Sequence, residues 1–93
     1  MIPKRLKIGG KFWKIDLIKG LSKETGHKGE SALMTNIIRL DSELPEDELW
    51  STFIHEILEA INYCYQFDWP HDRICVLEEV LYQVFKDNKL EVK

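Results

Sequence analysis

The sequence predicts an α+β domain in which two N-terminal β-hairpins precede an antiparallel helical hairpin, in the order ββββαα. Two observations favour this class. Short apolar segments with period-two alternation occupy the first 40 residues, and two long segments with helical periodicity occupy most of the rest. Ninety-three residues, 44% of them hydrophobic, suffice for one small domain with a thin core. We therefore interpret residues 1–93 as a single domain.

The first hairpin is predicted over residues 4–8 and 11–18. Gly9-Gly10 separates the two segments, and two glycines are typical of a tight hairpin turn because both central positions can adopt positive φ. The buried face of the second strand is formed by alternating Trp13, Ile15 and Leu17. Phe12 breaks this alternation, which predicts a bulge or a strand with two apolar faces.

A second, shorter hairpin, or alternatively a bent strand, is predicted over residues 31–34 and 36–40, after a polar connection at residues 19–30 that contains His27. We expect the strand at 36–40 to lead directly towards the first helix. Its edge is also a candidate position for a peptide that adds to the sheet as an extra strand.

Two helices are predicted, at residues 45–65 and 70–87. Pro45 suits a helix start, and the three carboxylates that follow it complement the positive end of the helix dipole. The turn between them, at 66–69, is short, so the helices should be antiparallel. In that arrangement residues near 57 face residues near 79.

The sequence His55-Glu56-x-x-Glu59 lies in the middle of the first helix. His55 and Glu59 are one turn apart and separated by about 40° around the helix, so both can bind one ion from one face. Ser51 and Asn62 lie on the same stripe. An ordinary solvated helix face has the same composition and is the alternative interpretation.

The facing helix offers three candidates for a third metal ligand. Glu78 lies on the stripe that faces the core, where an unpaired carboxylate is unfavourable, and is the first candidate. Glu79 lies on the solvent side. His71 lies two turns before Glu78, about 10 Å along the axis. We expect it near residues 63–67, away from the site unless the turn bends back.

Residues 38–42, 53–61 and 81–88 resemble small phage-borne proteins with a minimal zinc-metallopeptidase-like domain. These are similar in outline to the zincins, including the SprT-like and ImmA/IrrE groups. The resemblance implies that His55 is the first metal ligand and Glu56 the general base. Glu59 stands where the second histidine is expected. The gluzincin spacing of the third ligand implies Glu78 or Glu79.

The resemblance implies a phage-encoded metallopeptidase-like protein that hydrolyses peptides, or a degenerate metal-binding relic of one. A ligand set of one histidine and two glutamates carries two negative charges, so its metal-bound water should be less acidic and hydrolysis weaker. Zinc is the expected ion, with manganese or iron as the alternative. A Mg²⁺-dependent phosphohydrolase that uses Glu56 and Glu59 is a further enzymatic alternative.

The non-enzymatic alternative is a regulatory module that docks on a host protein or on nucleic acid. Residues 1–29 carry eight Lys/Arg and two acidic residues, a balance of +6, whereas residues 30–93 carry five and fourteen, a balance of −9. The basic half suits an anionic partner. Trp69, expected at an exposed turn between the helices, is a candidate anchor for such a contact.

Location and redox state follow from simple counts. No apolar run approaches the roughly 20 residues that span a bilayer, and the N-terminus lacks the apolar segment of a signal peptide. We expect a cytoplasmic protein, in the host cytoplasm if phage-encoded, without a membrane partner. Cys64 and Cys75 are expected to be buried, reduced thiols.

Overall fold

The computed structural model describes residues 2–90 and has an α+β fold. Four strands form one mixed sheet in the spatial order β1-β2-β4-β3, and two long helices follow them in the chain. The elements are β1 (Arg5–Ile8), β2 (Lys11–Ile18), α1 (Leu21–Thr25), β3 (Gly29–Ala32), β4 (Ile37–Asp41), α2 (Glu46–Tyr65) and α3 (His71–Asp87).

Both predicted hairpins are present, and parallel pairing of β2 with β4 joins them into one sheet. The turn at Gly9 and Gly10 has φ values of 60° and 81°, as expected for a two-glycine hairpin. β3 pairs with β4 in antiparallel register. Because β4 bonds to β2 on one side and to β3 on the other, it cannot accept an added peptide strand. The predicted docking edge at 36–40 is therefore wrong, and the edges of the sheet are β1 and β3.

The two faces of the sheet differ sharply. The inner face carries Trp13, Ile15, Ile38 and Leu40, which are buried. The outer face carries Phe12, which is 57% exposed, directly opposite Lys7 of β1. The pairing of β1 with β2 is continuous through this position, so the side chain projects outward without a bulge.

The segment at 19–30, predicted as a polar connection, contains the short helix α1 and the first residues of β3. Leu21 of α1 is buried, and the backbone N–H of Ser22 donates to the Asp41 carboxylate at 2.9 Å. Hydrogen bonds from Ser22 and from the Glu43 backbone lower the pKa of Asp41. A five-residue helix is too short for periodicity to reveal, and its anchor lies 19 residues away in the chain.

Helix α2 lies between the sheet and α3 and is buried on two sides. Towards the sheet, Phe53 and Ala60 join the main core. Towards α3, Ile54 and Leu58 pack against Ile74. A helix that is apolar on two sides leaves only a narrow strip for polar residues.

Near the start of α2, an exposed polar contact joins α2 to α3. The Tyr82 hydroxyl donates to the Asp47 carboxylate at 2.6 Å, and Lys86 pairs with the same carboxylate at 3.2 Å. The bond to Asp47 raises the pKa of Tyr82 to about 12. The hydrogen bond and the ion pair to Asp47 thus supplement the apolar contact between the helices.

Four side chains differ in burial from the sequence prediction. Leu17, predicted on the buried face of β2, is 49% exposed. Cys64 and Cys75 are free cysteines and are half-buried, not fully buried. Trp69 packs partly against the α2–α3 contact and is also half-buried, so it is less available as an anchor than expected.

Within residues 2–90, no helix is both long enough and apolar enough to cross a membrane.

Gly29 allows the edge strand β3 to approach α2 closely, and this predicts a specific steric coupling. A Cβ at Gly29 would lie 2.7 Å from Cγ2 of Thr52 and 3.1 Å from Cδ2 of Leu40. Gly29→Ala should therefore lower the free energy of unfolding by about 1–3 kcal/mol through overpacking. Thr52→Ser removes the clashing methyl group and should recover part of that loss.

The measurement is urea denaturation of the wild type, both single variants and the double variant. We expect the double variant to lose clearly less free energy of unfolding than the sum of the losses in the two single variants. Strict additivity would mean that the strand moves away from α2 and that the close approach is not required.

Candidate metal centre

The polar strip of α2 faces an open cleft of about 500 Å³. The cleft is bounded by α2, by the edge strand β3 and by the segment before β3. Its lining includes the polar or titratable side chains of His27, Ser31, His55, Glu56, Glu59 and His71. The strip predicted from helical spacing is thus the floor of a concave site, not an open helix surface.

Within residues 2–90, the one group able to hold a metal ion consists of His55, Glu59 and His71. One donor atom from each lies within 4.8 Å of the others. His55 Nε2 is 3.9 Å from Glu59 Oε2, and the two imidazole rings are 5.2 Å apart between centroids. Donors around a tetrahedral zinc ion at about 2.1 Å are roughly 3.4 Å apart, so small side-chain rotations would complete the set.

His71 reaches this group because the turn between the helices bends back towards α2. Gln66 and Asp68 both adopt left-handed backbone conformations, with φ values of 54° and 59°. The Asn62 side chain then holds the end of the turn, since Trp69 N–H donates to its Oδ1 at 2.9 Å and its Nδ2 donates to Trp69 O at 3.2 Å. These contacts return the chain to α2 two residues before His71.

Glu78 lies against the other side of the His55 ring. His55 Nδ1 lies 3.0 Å from Glu78 Oε1. In the tautomer that carries its proton on Nδ1, the ring donates to this carboxylate and presents the lone pair of Nε2 towards Glu59. The hairpin geometry correctly predicts this proximity, but Glu78 is not one of the three grouped donors. Its position is that of a residue that orients His55, and Glu79 is exposed.

Glu56 is buried beneath the cleft, with 6% of its surface exposed. The Ser31 hydroxyl of β3 donates to its Oε1 at 2.6 Å. Burial raises the pKa of Glu56, and the bond from Ser31 opposes this shift only in part. A carboxylate with a raised pKa next to potential metal ligands is suited to accept a proton and release it again.

Sequence reasoning missed the support that this group receives from other elements. Ser31 and Asn62 carry no motif, and only the pairing of β3 and the shape of the turn give them their roles. Cys75 Sγ lies 3.5 Å from His71 Nε2, one helical turn away. That i, i+4 spacing was the one available signal that His71 has a partner on α3. Burial and the nearby Glu78 raise the pKa of the Cys75 thiol, which favours the protonated form.

The substitution Glu56→Gln should make the metal-free protein more stable than the wild type, by an amount that depends on pH. Because burial raises its folded-state pKa above the ordinary value of 4.5, ionised Glu56 opposes folding at neutral pH. The contribution of protonated Glu56 is fully present below the unfolded-state pKa and is lost as the pH rises through the folded-state pKa. The substituted amide keeps an acceptor for Ser31 and has no charge to bury.

The check is chemical denaturation in EDTA between pH 4 and pH 8. The variant should be more stable than the wild type at pH 8, and the difference should shrink towards pH 4. Glu79→Gln, which removes an exposed carboxylate, shows the effect of net charge alone. A pH-independent difference for Glu56→Gln would contradict the expected penalty of the buried charge.

Comparison of the chain with known protein families, with curated proteins and with solved structures found no match. The chemistry of the residues around the cleft is therefore the basis for assigning a function.

Proposed function

We propose that this protein is a metal-dependent peptide hydrolase in which His55, Glu59 and His71 hold a Zn²⁺ ion and Glu56 is the general base. The observation that carries the proposal is the convergence of two imidazoles and one carboxylate beside a buried, separately held glutamate. Ligands and base would then share one wall of a cleft that is open to a polymeric substrate.

The donor set has the composition His₂Glu, which is common in catalytic zinc sites. With His71 in place of Glu78, the set carries one negative charge, whereas the set expected from the sequence carries two. The lower anionic charge favours a more acidic metal-bound water and so supports hydrolysis. Imidazole suits zinc and iron better than magnesium, which argues against the Mg²⁺-dependent phosphohydrolase.

A Zn²⁺ ion in this site would supply Lewis acidity towards a carbonyl oxygen and would lower the pKa of a bound water. Glu56 accepts the proton from the attacking water and returns it to the leaving amine. Ser31 keeps the Glu56 carboxylate in one orientation through its hydrogen bond. Glu78 fixes the ring of His55 from behind, and carboxylates commonly hold metal-ligating histidines in this way.

The edge strand β3 is suited to position a peptide substrate. It contributes Gly29, Glu30 and Ser31 to the cleft wall and pairs with β4 on its other side. Among the described residues, none pairs with its outer edge as a further strand. A peptide in extended conformation could add there and run past Glu56.

Metal binding can be tested with single alanine variants of the three ligands. Zn²⁺ titration should show that His55→Ala, Glu59→Ala and His71→Ala each weaken binding by at least ~100-fold, because each removes a direct donor. Glu78→Gln should weaken it by about 10-fold, as expected for a residue that orients a ligand. Isothermal titration calorimetry of each purified variant gives the affinities.

His27→Ala is the matched control, because His27 lines the same cleft but is not among the three donors. Its affinity should stay within about threefold of the wild type. If His71→Ala binds like the wild type while Glu78→Ala abolishes binding, the ligand set is the one expected from the sequence. If the wild type binds no Zn²⁺, Mn²⁺ or Fe²⁺, the proposal fails.

The role of Glu56 as the base is tested separately. Glu56→Gln should retain metal and abolish hydrolysis of a casein-type substrate.

Asn62 should influence metal affinity although it is outside the donor group. Asn62→Ala removes both hydrogen bonds to the Trp69 backbone and so loosens the segment that delivers His71. We expect a loss of about 1–3 kcal/mol in the free energy of unfolding and a roughly 10-fold weaker Zn²⁺ affinity. Asn62→Asp keeps the acceptor for Trp69 N–H, so its stability and its Zn²⁺ affinity should lie between those of the wild type and those of Asn62→Ala. An unchanged affinity would show that other contacts position His71.

A further inference from the structure

The outer face of the sheet carries an aromatic ring surrounded by cations. Phe12 is 57% exposed, and the Arg5 guanidinium lies 4.5 Å from its ring centroid. The Lys7 ammonium lies 5.7 Å from the same centroid. The ring and both cations therefore form one unit on the surface of β1 and β2, which we call the Phe12 patch.

Within residues 2–90, Arg5 and Lys7 have no ion-pair partner, whereas the cations on the other outward-facing positions of the strands are paired. Lys14 pairs with Asp16 at 3.5 Å, and Arg39 pairs with Glu30 at 3.1 Å. Among the described residues, no carboxylate forms an ion pair with Arg5 or Lys7. The unneutralised positive charge of this face is thus concentrated around the exposed ring.

We propose that the Phe12 patch binds single-stranded nucleic acid, independently of the metal centre. A single strand offers what this surface lacks, namely anions in a row and flat rings that stack on aromatic or guanidinium planes. Arg5 and Lys7 occupy alternate positions of an extended strand, about 7 Å apart, so they can neutralise successive phosphates while a base stacks beside them.

The distribution of charge in the whole chain directs a polyanion to this face. Residues 1–29 have a balance of +6 and form the strands β1 and β2 and their flank, whereas residues 30–93 have a balance of −9. The acidic part contains both long helices, and α2 covers the other face of the sheet. Repulsion from the helical side and attraction to the strands both favour the Phe12 patch.

The geometry favours a single strand over a duplex. Phe12 and its neighbours Arg5, Lys7 and Lys14 are exposed on the outer face of β1 and β2, and splayed bases can lie on such a surface. A duplex hides its bases in the stack, so Phe12 would have no ring to contact. Stacking on Phe12 therefore separates the proposal from a purely electrostatic attraction to polyanions.

The test is fluorescence anisotropy of labelled 12-mers with the full chain in EDTA, which removes any contribution of the metal centre. The probes are oligo-dT, oligo-U and an abasic DNA strand of the same length and charge. We expect roughly micromolar binding to oligo-dT or oligo-U at about 50 mM salt and weaker binding to the abasic strand. The tighter of the first two probes identifies DNA or RNA as the ligand.

Two variants separate stacking from charge. Phe12→Ala should weaken binding to the base-bearing strand by roughly 5- to 100-fold and leave binding to the abasic strand unchanged. The double variant Arg5→Gln/Lys7→Gln should weaken binding to both strands. It should also reduce the slope of log affinity against log salt by about 1.4, as expected for two lost phosphate contacts.

Lys19→Gln/Lys23→Gln is the matched control, because it removes the same charge from exposed positions of the basic half beyond β2. Its affinity should stay within about twofold and its salt slope should not change. Circular dichroism confirms that each variant is folded. Equal affinity for the abasic and base-bearing strands would overturn the proposal. So would an equal loss in the control variant, or no binding at about 100 μM protein.

Discussion

The structure depends on the burial of helix α2 on two sides. The sheet covers Phe53 and Ala60, and α3 covers Ile54 and Leu58. Polar side chains in such a helix can only lie along the seam that neither layer covers. His55, Glu59 and Asn62 occupy that seam, and the cleft is its continuation towards the edge strand. The concentration of chemistry in one place is therefore a consequence of packing.

The same packing gives the two central carboxylates different properties. Glu56 points towards β3 and is buried, and this burial raises its pKa although the Ser31 hydroxyl donates a hydrogen bond to its carboxylate. Glu59 is 34% exposed at its side chain and faces the cleft beside His55. A buried carboxylate that readily takes up a proton suits a base, and an accessible one suits a ligand. Neighbouring turns of one helix are enough to separate these roles, because burial changes from one residue to the next.

Much of the architecture could be predicted because it depends on local sequence patterns. The hairpin at Gly9-Gly10, both long helices and the proximity of Glu78 to His55 follow from turn chemistry and helical geometry. The parallel pairing of β2 with β4 does not, because the connection between them has no periodic signal and its short helix is held by Asp41 from a distance. That pairing places β4 in the interior and β3 at the edge.

The position of His71 also could not be predicted from local patterns. Its distance from Glu78 follows from the spacing along α3, but its distance from His55 depends on the path of the four turn residues. Left-handed conformations within that turn and the hydrogen bonds of Asn62 determine the path. The turn contains no glycine, so its sequence does not indicate these left-handed conformations.

The sheet separates two chemically opposite surfaces. The cleft opens beside β3, with Glu30, Glu56 and Glu59 in its lining, whereas Arg5, Lys7 and Phe12 lie on β1 and β2. Three inter-strand spacings of about 4.8 Å place the two edge strands roughly 14 Å apart. The Phe12 patch also faces away from the helices. A strand of nucleic acid on the outer face would leave the cleft uncovered, so both ligands could be bound at the same time. The β2–β4 pairing links the two hairpins by hydrogen bonds, and α2, which packs against both β1 and β3, links them through the core.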